Sequence, residues 1–264
     1  MNAKTSRFLE FDNVTVFHGE KKVLDSLSVT VSQGENMAIL GPNGAGKSTF
    51  IKTIMREFYP VLDSGPVTFR VCGRETWDVF ELRSAFGIVS NDLQYAFTRE
   101  ITGREVILSG FFSSVGLFNR EISPEMNRKA EEICAFLEVD HIRDRRMTEM
   151  SSGESRRFLI GRAMVHDPKV LVLDEPTNSL DLHALHTFRQ TIRKIARNGT
   201  AIILVTHNLQ DIIPEIKRVI LMKNGKFVGD GPKGELLTDD AISRLFDVPV
   251  RIRQEDEYYY ATGY

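Results

Sequence analysis

The spacing of apolar positions changes period several times along the 264-residue chain, and each change marks an element. From Phe8 to Phe17 and from Leu27 to Val31, β-branched and apolar residues roughly alternate, with His18-Gly19-Glu20-Lys21-Lys22 between the two runs. This predicts two antiparallel strands joined by a turn. The unbroken apolar run Met37-Ala38-Ile39-Leu40 reads as a buried strand, followed by a glycine-rich loop and a helix from Ser48 to about Phe58. Strands follow at Val67 to Cys72 and at Gly87 to Ser90. Helical spacing then takes over, with Ile133, Phe136 and Leu137 forming the apolar side of a helix opened by Pro124, so an inserted helical subdomain is expected over about 92–158. From Val170 strand and helix alternate again: a strand at 170–173, a helix at 181–197, a strand at 201–205 and a hairpin from Arg218 to Asp230. The long helix carries the stripe Leu182, Leu185, Phe188, Ile192 and Ile195 and stops near Gly199, while Asn224-Gly225 suits a type I′ turn. The expected organisation is α/β, with one domain over 6–240 and a tail over 241–264. That tail holds a short helix and the runs VPVRIR and EYYYATGY, with Tyr258-Tyr259-Tyr260 as a strand edge or packed segment.

Composition narrows the function classes. An apolar fraction of 42% suffices for a full core, and a formal charge of -2 gives no global attraction to nucleic acid or an anionic membrane. No nucleic-acid partner is expected, and any phosphate binding must be local. Cys72 and Cys134 have no metal-ligand spacing and read as reduced thiols. The beginning has no apolar signal core and no run approaches 18 apolar residues, so contact with a membrane would go through a partner.

The chemistry concentrates in three short segments. Gly41-Pro42-Asn43-Gly44-Ala45-Gly46-Lys47-Ser48-Thr49 lies between the buried strand and the next helix. A helix N-terminus presents unpaired N–H groups and about half a positive charge, and glycines let the backbone approach an anion closely. Gly41, Gly44 and Gly46 therefore build a phosphate cradle, Lys47 reaches the β and γ phosphates, and the Ser48 hydroxyl can coordinate Mg²⁺. The apolar run Val170 to Leu173 ends in Asp174-Glu175, which places two carboxylates at the C-terminal end of a buried strand. Asp174 is expected to hold Mg²⁺ through its water shell, and Glu175 to polarise the water that attacks the γ phosphate. Met150-Ser151-Ser152-Gly153-Glu154 is a second small-residue loop that opens a helix, a further anion site or an ordinary serine cap.

Taken in order, the phosphate loop, MSSGE, LVLDE, SLD and TH resemble the motifs of the ATP-binding cassette (ABC) ATPases, over about Phe8 to Val250. The resemblance implies a phosphate-loop NTPase fold with a RecA-like core, an N-terminal antiparallel β subdomain and an inserted helical subdomain. It implies ATP and Mg²⁺ as cofactors and two copies of the chain meeting head to tail. Ser151, Gly153 and Glu154 would then face the γ phosphate of the partner's ATP, and Ser179-Leu180-Asp181 would couple the two sites. His207 matches the switch histidine, and His18, with Phe17 beside it, takes the place of the aromatic residue that stacks on adenine. The loop that senses Mg²⁺ and the γ phosphate falls on Asn91 or Gln94, with Gln94 preferred. Ser152 and Glu154 depart from the usual glycine and glutamine: the serine would strain a loop needing positive φ, and the carboxylate adds negative charge near ATP.

Within the family, VILSGFFSSVGLF, the segment following His207 and the tail resemble the single-cassette importers of molybdate and iron chelates. This implies an ATPase that drives a separate integral membrane permease, held on the cytoplasmic face and linked indirectly to a substrate-binding protein, with an oxyanion or metal chelate as cargo. FFSSVGLF is then a docking surface for the permease or internal packing of the helical subdomain. The alternative within the family is a soluble cassette acting on ribosomes or DNA. A phosphate-loop kinase would need an acceptor pocket and no signature loop.

Overall fold

Alternation at the start of the chain produces β1 (Arg7–His18) and β2 (Lys21–Ser32), which pair antiparallel with Leu9, Val14, Val16, Leu24, Leu27 and Val31 on the buried side. The turn between them is two residues rather than five, because His18 already pairs with Lys21. This computed structural model describes residues 7–61, 65–90, 97 and 100–264. They fall into two compact units: residues up to Val79 joined with Ala201–Tyr264, and Phe80–Thr200.

In the first unit, β3 (Met37–Leu40) is wholly buried and leads through the glycine loop into α1 (Lys47–Ile54). β4 (Thr68–Val71) pairs antiparallel with β1, giving the order β2-β1-β4. β3 runs parallel to both β7 (Ala201–Thr206) and β8 (Arg218–Lys223), and β9 (Lys226–Pro232) returns antiparallel to β8. Asn224 at φ 51 and Gly225 at φ 75 make the expected type I′ turn. Phe50 on α1 is fully buried, its ring 5.5 Å from Phe11 of β1 and 5.6 Å from Phe227 of β9. Three elements therefore share one aromatic cluster.

Helix α1 ends at Ile54 rather than near Phe58. Arg56 adopts φ 61, its guanidinium lies 3.5 Å from the Phe69 ring centroid, and it donates to the Phe69 carbonyl at 3.2 Å. Anchoring that side chain on β4 turns the backbone out of the helix.

The second unit begins within α2 (Val79–Ala85) and contains β5 (Phe86–Val89) parallel to β6 (Val170–Asp174). The helices α3 (Gly103–Ser109), α4 (Pro124–Phe136) and α6 (Leu182–Arg197) pack on α5 (Ser152–Met164), which lies against β5. Each of these four helices starts on a side-chain cap, from Thr102, Ser123, Ser151 and Asp181 respectively. Gly103 lets α3 lie on α5, since a Cβ there would sit 2.5 Å from the Phe158 ring. The stripe on α6 buries Phe188, Ile192 and Ile195, but Leu182 is 85% exposed because the first turn stands clear of the core. Cys134 on α4 is buried, which pushes its thiol up to about 11, and Cys72 is exposed; both are free.

The chain closes, in the first unit, with α7 (Lys233–Leu236), α8 (Asp239–Phe246) and the hairpin β10 (Arg251–Glu255) with β11 (Tyr258–Thr262). The tyrosine run is therefore a packed strand, with Tyr259 buried and the Lys233 ammonium 5.9 Å from its ring.

Removing the shared ring should be costly. Phe50→Ala is expected to destabilise the protein by about 3 to 5 kcal/mol in denaturant unfolding. A loss under about 1 kcal/mol would show that α1 is not held by this cluster.

Candidate active site

In the first unit, the loop after β3 is shaped by what lies behind it. The Gly41 N–H donates to the Thr206 carbonyl at 3.2 Å, and a Cβ on Gly41 would stand 2.1 Å from the Met222 carbonyl oxygen. Gly46, the residue before α1, has φ 106, and its Cβ would meet Met222 Cε at 2.9 Å and the Val23 carbonyl at 3.0 Å. Strands β2 and β8 thus crowd the back of the loop, and only glycine satisfies both space and dihedral angle. The hairpin turn braces it further, with Gly225 N–H donating to the Ala45 carbonyl at 2.8 Å.

The positive groups lie at the loop itself. Gly46 provides no side-chain cap and the first turn of α1 has no acidic residue, so the helix dipole is not countered locally. Lys47 is buried, and its Nζ donates to the carbonyls of Gly41 at 2.8 Å and Pro42 at 3.0 Å. Its ammonium is therefore held inside the curl of the loop. Asn43, Gly44 and Ser48 are exposed, while Pro42 and Thr49 are half-buried. Ser48 offers a hydroxyl oxygen in the first turn of α1.

Two more predicted residues belong to this unit. His18 is exposed at the end of β1 with its ring 5.5 Å from Phe58, edge to face, and Phe17 is 39% exposed beside it. Phe58 is an aromatic neighbour that sequence reasoning missed, since the expected helix would have absorbed it. His207 is half-buried directly after β7.

The second unit carries the carboxylates. Residues 170–173 of β6 are buried, and Asp174 and Glu175 emerge at its C-terminal end, half-buried. Glu175 adopts φ 49, a left-handed conformation uncommon for a residue with a side chain. Such strain is concentrated where a side chain must be aimed, and no sequence pattern announces it.

The signature segment is a capping box. Ser151 Oγ accepts from the Glu154 N–H at 3.2 Å, and the Ser151 N–H donates to Glu154 Oε2 at 2.8 Å. That backbone N–H, more than any other group, holds the Glu154 carboxyl below the usual carboxylate range. Ser152 does not strain the loop: it is the first residue of α5, lacks positive φ, and its hydroxyl donates to the Ser179 carbonyl at 3.2 Å. Gly153 permits close packing on α6, where its Cβ would meet Ala184 Cβ at 2.7 Å. Asp181 caps α6 by accepting from the Ala184 N–H at 2.8 Å. The signature and SLD loops are thus tied within this unit. Asn91 and Gln94 lie outside the described residues.

In the first unit Ser48 carries a hard hydroxyl oxygen, in the second Asp174 carries a hard carboxylate oxygen, and among the described residues no group of three His, Cys, Asp or Glu side chains forms a cation cage. Mg²⁺ keeps several waters and needs only one or two protein oxygens beside phosphate, a demand that a single hydroxyl such as that of Ser48 can help meet. The glycine cradle and Lys47 fit the phosphates.

Residues 24–178 match the family described as ABC transporter. The uncharacterized ABC transporter ATP-binding protein YlmA of Bacillus subtilis is 33% identical, with 92% of each chain covered. The hemin import ATP-binding protein HmuV of Bradyrhizobium diazoefficiens is 29% identical over 95% of this chain and 92% of that protein. The Nod factor export ATP-binding protein I of Paraburkholderia xenovorans is 30% identical over 94% of this chain and 79% of that protein. Among solved structures, the ADP conformation of MJ1267, an ATP-binding cassette of an ABC transporter, has a TM-score of 0.76 at 27% identity, covering 90% of this chain and 98% of that one.

The capping box predicts a pH dependence. A carboxyl held low in the folded state contributes stability above its unfolded pKa of about 4.3 and loses it as pH falls through the lower folded value. In unfolding titrations from neutral to acid pH, Glu154→Gln should be less stable than wild type at pH 7 and converge on it at the acid end. A gap constant over the whole range would contradict the charged cap.

Proposed function

The chain belongs to the ABC transporter family as its ATP-hydrolysing cassette, and from that premise we propose that two copies close around two Mg-ATP molecules to drive a separate membrane permease. Lys47 and the α1 amides grip the β and γ phosphates, and His18 stacks on the adenine. Ser48 and Asp174 hold Mg²⁺, which when bound neutralises phosphate charge. Glu175 orients and deprotonates the attacking water, and His207 contacts the γ phosphate. Ser151 and Gly153 seal the nucleotide of the opposite copy. The observation that carries the reading is the loop: Gly41 and Gly46 are enforced by strands behind them, and Lys47 is buried at its centre.

Docking to the permease is assigned to a cavity of about 330 Å³ in the second unit, lined by Phe97, Glu100, Ile101, Glu105, Leu117 and Phe118. Phe118 is 63% exposed at its edge beside Glu100 and Glu105, an arrangement suited to receiving a partner segment that carries both apolar and polar side chains. No helix among the described residues is long and apolar enough to cross a membrane. In this reading the cassette sits on the cytoplasmic face of the membrane through the permease. For cargo we favour import of a metal chelate. The hemin-import relative is matched along 92% of its length, whereas the export relative extends further beyond the match.

Glu175→Gln tests the chemistry. It should lower turnover about 10² to 10⁴-fold while retaining ATP, so that sedimentation with ATP and Mg²⁺ shows a persistent dimer. Wild-type turnover in that variant would remove Glu175 from the reaction, and a monomer at saturating nucleotide would remove the dimer.

A further inference from the structure

Thr206, the last residue of β7, is a hub between two parts of the site. Its carbonyl receives the Gly41 N–H at 3.2 Å, where the phosphate loop begins. Its hydroxyl donates to Asp211 Oδ2 at 2.5 Å and accepts from the Asn208 N–H at 2.9 Å. These bonds clamp the backbone on both sides of His207. Thr206 is fully buried and Asp211 is 2% exposed, so solvent offers neither group an alternative. The short 3-10 turn Leu209–Asp211 that carries the carboxylate is itself fixed: Asn208 Oδ1 accepts from the Gln210 N–H at 3.1 Å, and the Asp211 N–H donates to the Asn208 carbonyl at 3.2 Å. Strand β11 packs over the same turn.

A serviceable β-strand end needs none of this. A buried carboxylate is expensive unless hydrogen-bonded, and one bond of this carboxylate is directed at the residue preceding His207. We propose that Thr206 and Asp211 are positioning residues: together they set the His207 peptide at a fixed offset from the phosphate loop, so that the imidazole meets the γ phosphate. This rests on the role given to His207 above. Neither residue touches nucleotide in this account, and their effect is transmitted through the histidine.

The test is steady-state ATP hydrolysis with a double-mutant comparison. Thr206→Val preserves shape and removes the hydroxyl that both partners use. It should reduce kcat about ten- to a hundredfold, since a displacement near 1 Å is enough for such a loss. KM should stay within about threefold, because the phosphate grip is intact. Thr206→Ser should regain most of the rate, and Asp211→Leu should reproduce the loss. Adding Thr206→Val to His207→Ala should cost nothing more, as residues acting through one group are not additive. The proposal is overturned if Thr206→Val turns over like wild type, if Thr206→Ser is as slow as Thr206→Val, or if the double variant is slower than His207→Ala by the full single-mutant factor. Wild-type turnover in His207→Ala would instead remove the histidine's own role, and with it anything for Thr206 to position. The Thr206→Val and Thr206→Ser pair keeps the test decisive if Asp211→Leu fails to fold.

Discussion

A cationic side chain buried within a curl of backbone is the constraint on which the rest of this protein depends. Placing the Lys47 ammonium against the carbonyls of Gly41 and Pro42 partly offsets the cost of burying charge, and it keeps positive potential where a phosphate would sit. The arrangement survives only if the loop cannot relax. Its backing comes from far along the chain: Val23 at the start of β2, Met222 on β8 and the Asn224-Gly225 turn all press on residues 41 to 46. The antiparallel N-terminal strands and the β8-β9 hairpin thus serve the same few residues, and Phe50 ties α1 to both.

The second unit solves a different problem, that of presenting small polar groups at helix starts. Its helices are capped by their own side chains, so little of their N-terminal charge is left to local chance. At α5 the cap is also the candidate contact to a partner's nucleotide. Glu154 completes that cap with a formal charge, and Ser152 adds a bond to the Ser179 carbonyl. The Ser152 bond joins the signature and SLD loops within one chain.

Much of this was legible in the residues. The phosphate loop, the strand ending in Asp174-Glu175 and the type I′ hairpin are each written in one short run of residues and appear where expected, although what braces the loop from behind lies far along the chain. Features set by distant contacts were not. Helix α1 stops early because Arg56 finds Phe69, Leu182 is exposed although it continues an apolar stripe, and Ser152 is relaxed because it starts a helix rather than occupying a left-handed turn. The φ of Glu175 and the Thr206 to Asp211 bond belong to the same class, since each depends on where a strand end lies in the folded chain.

The central claim is that nucleotide is held by its phosphates, through the α1 amides and the lysine seated among them. Calorimetric titration of ATP into the protein and its Lys47→Ala variant addresses it most directly. The account predicts binding by wild type and a loss of affinity of about tenfold or more in the variant, at an unchanged fold by circular dichroism. Equal affinity in the two proteins would contradict it.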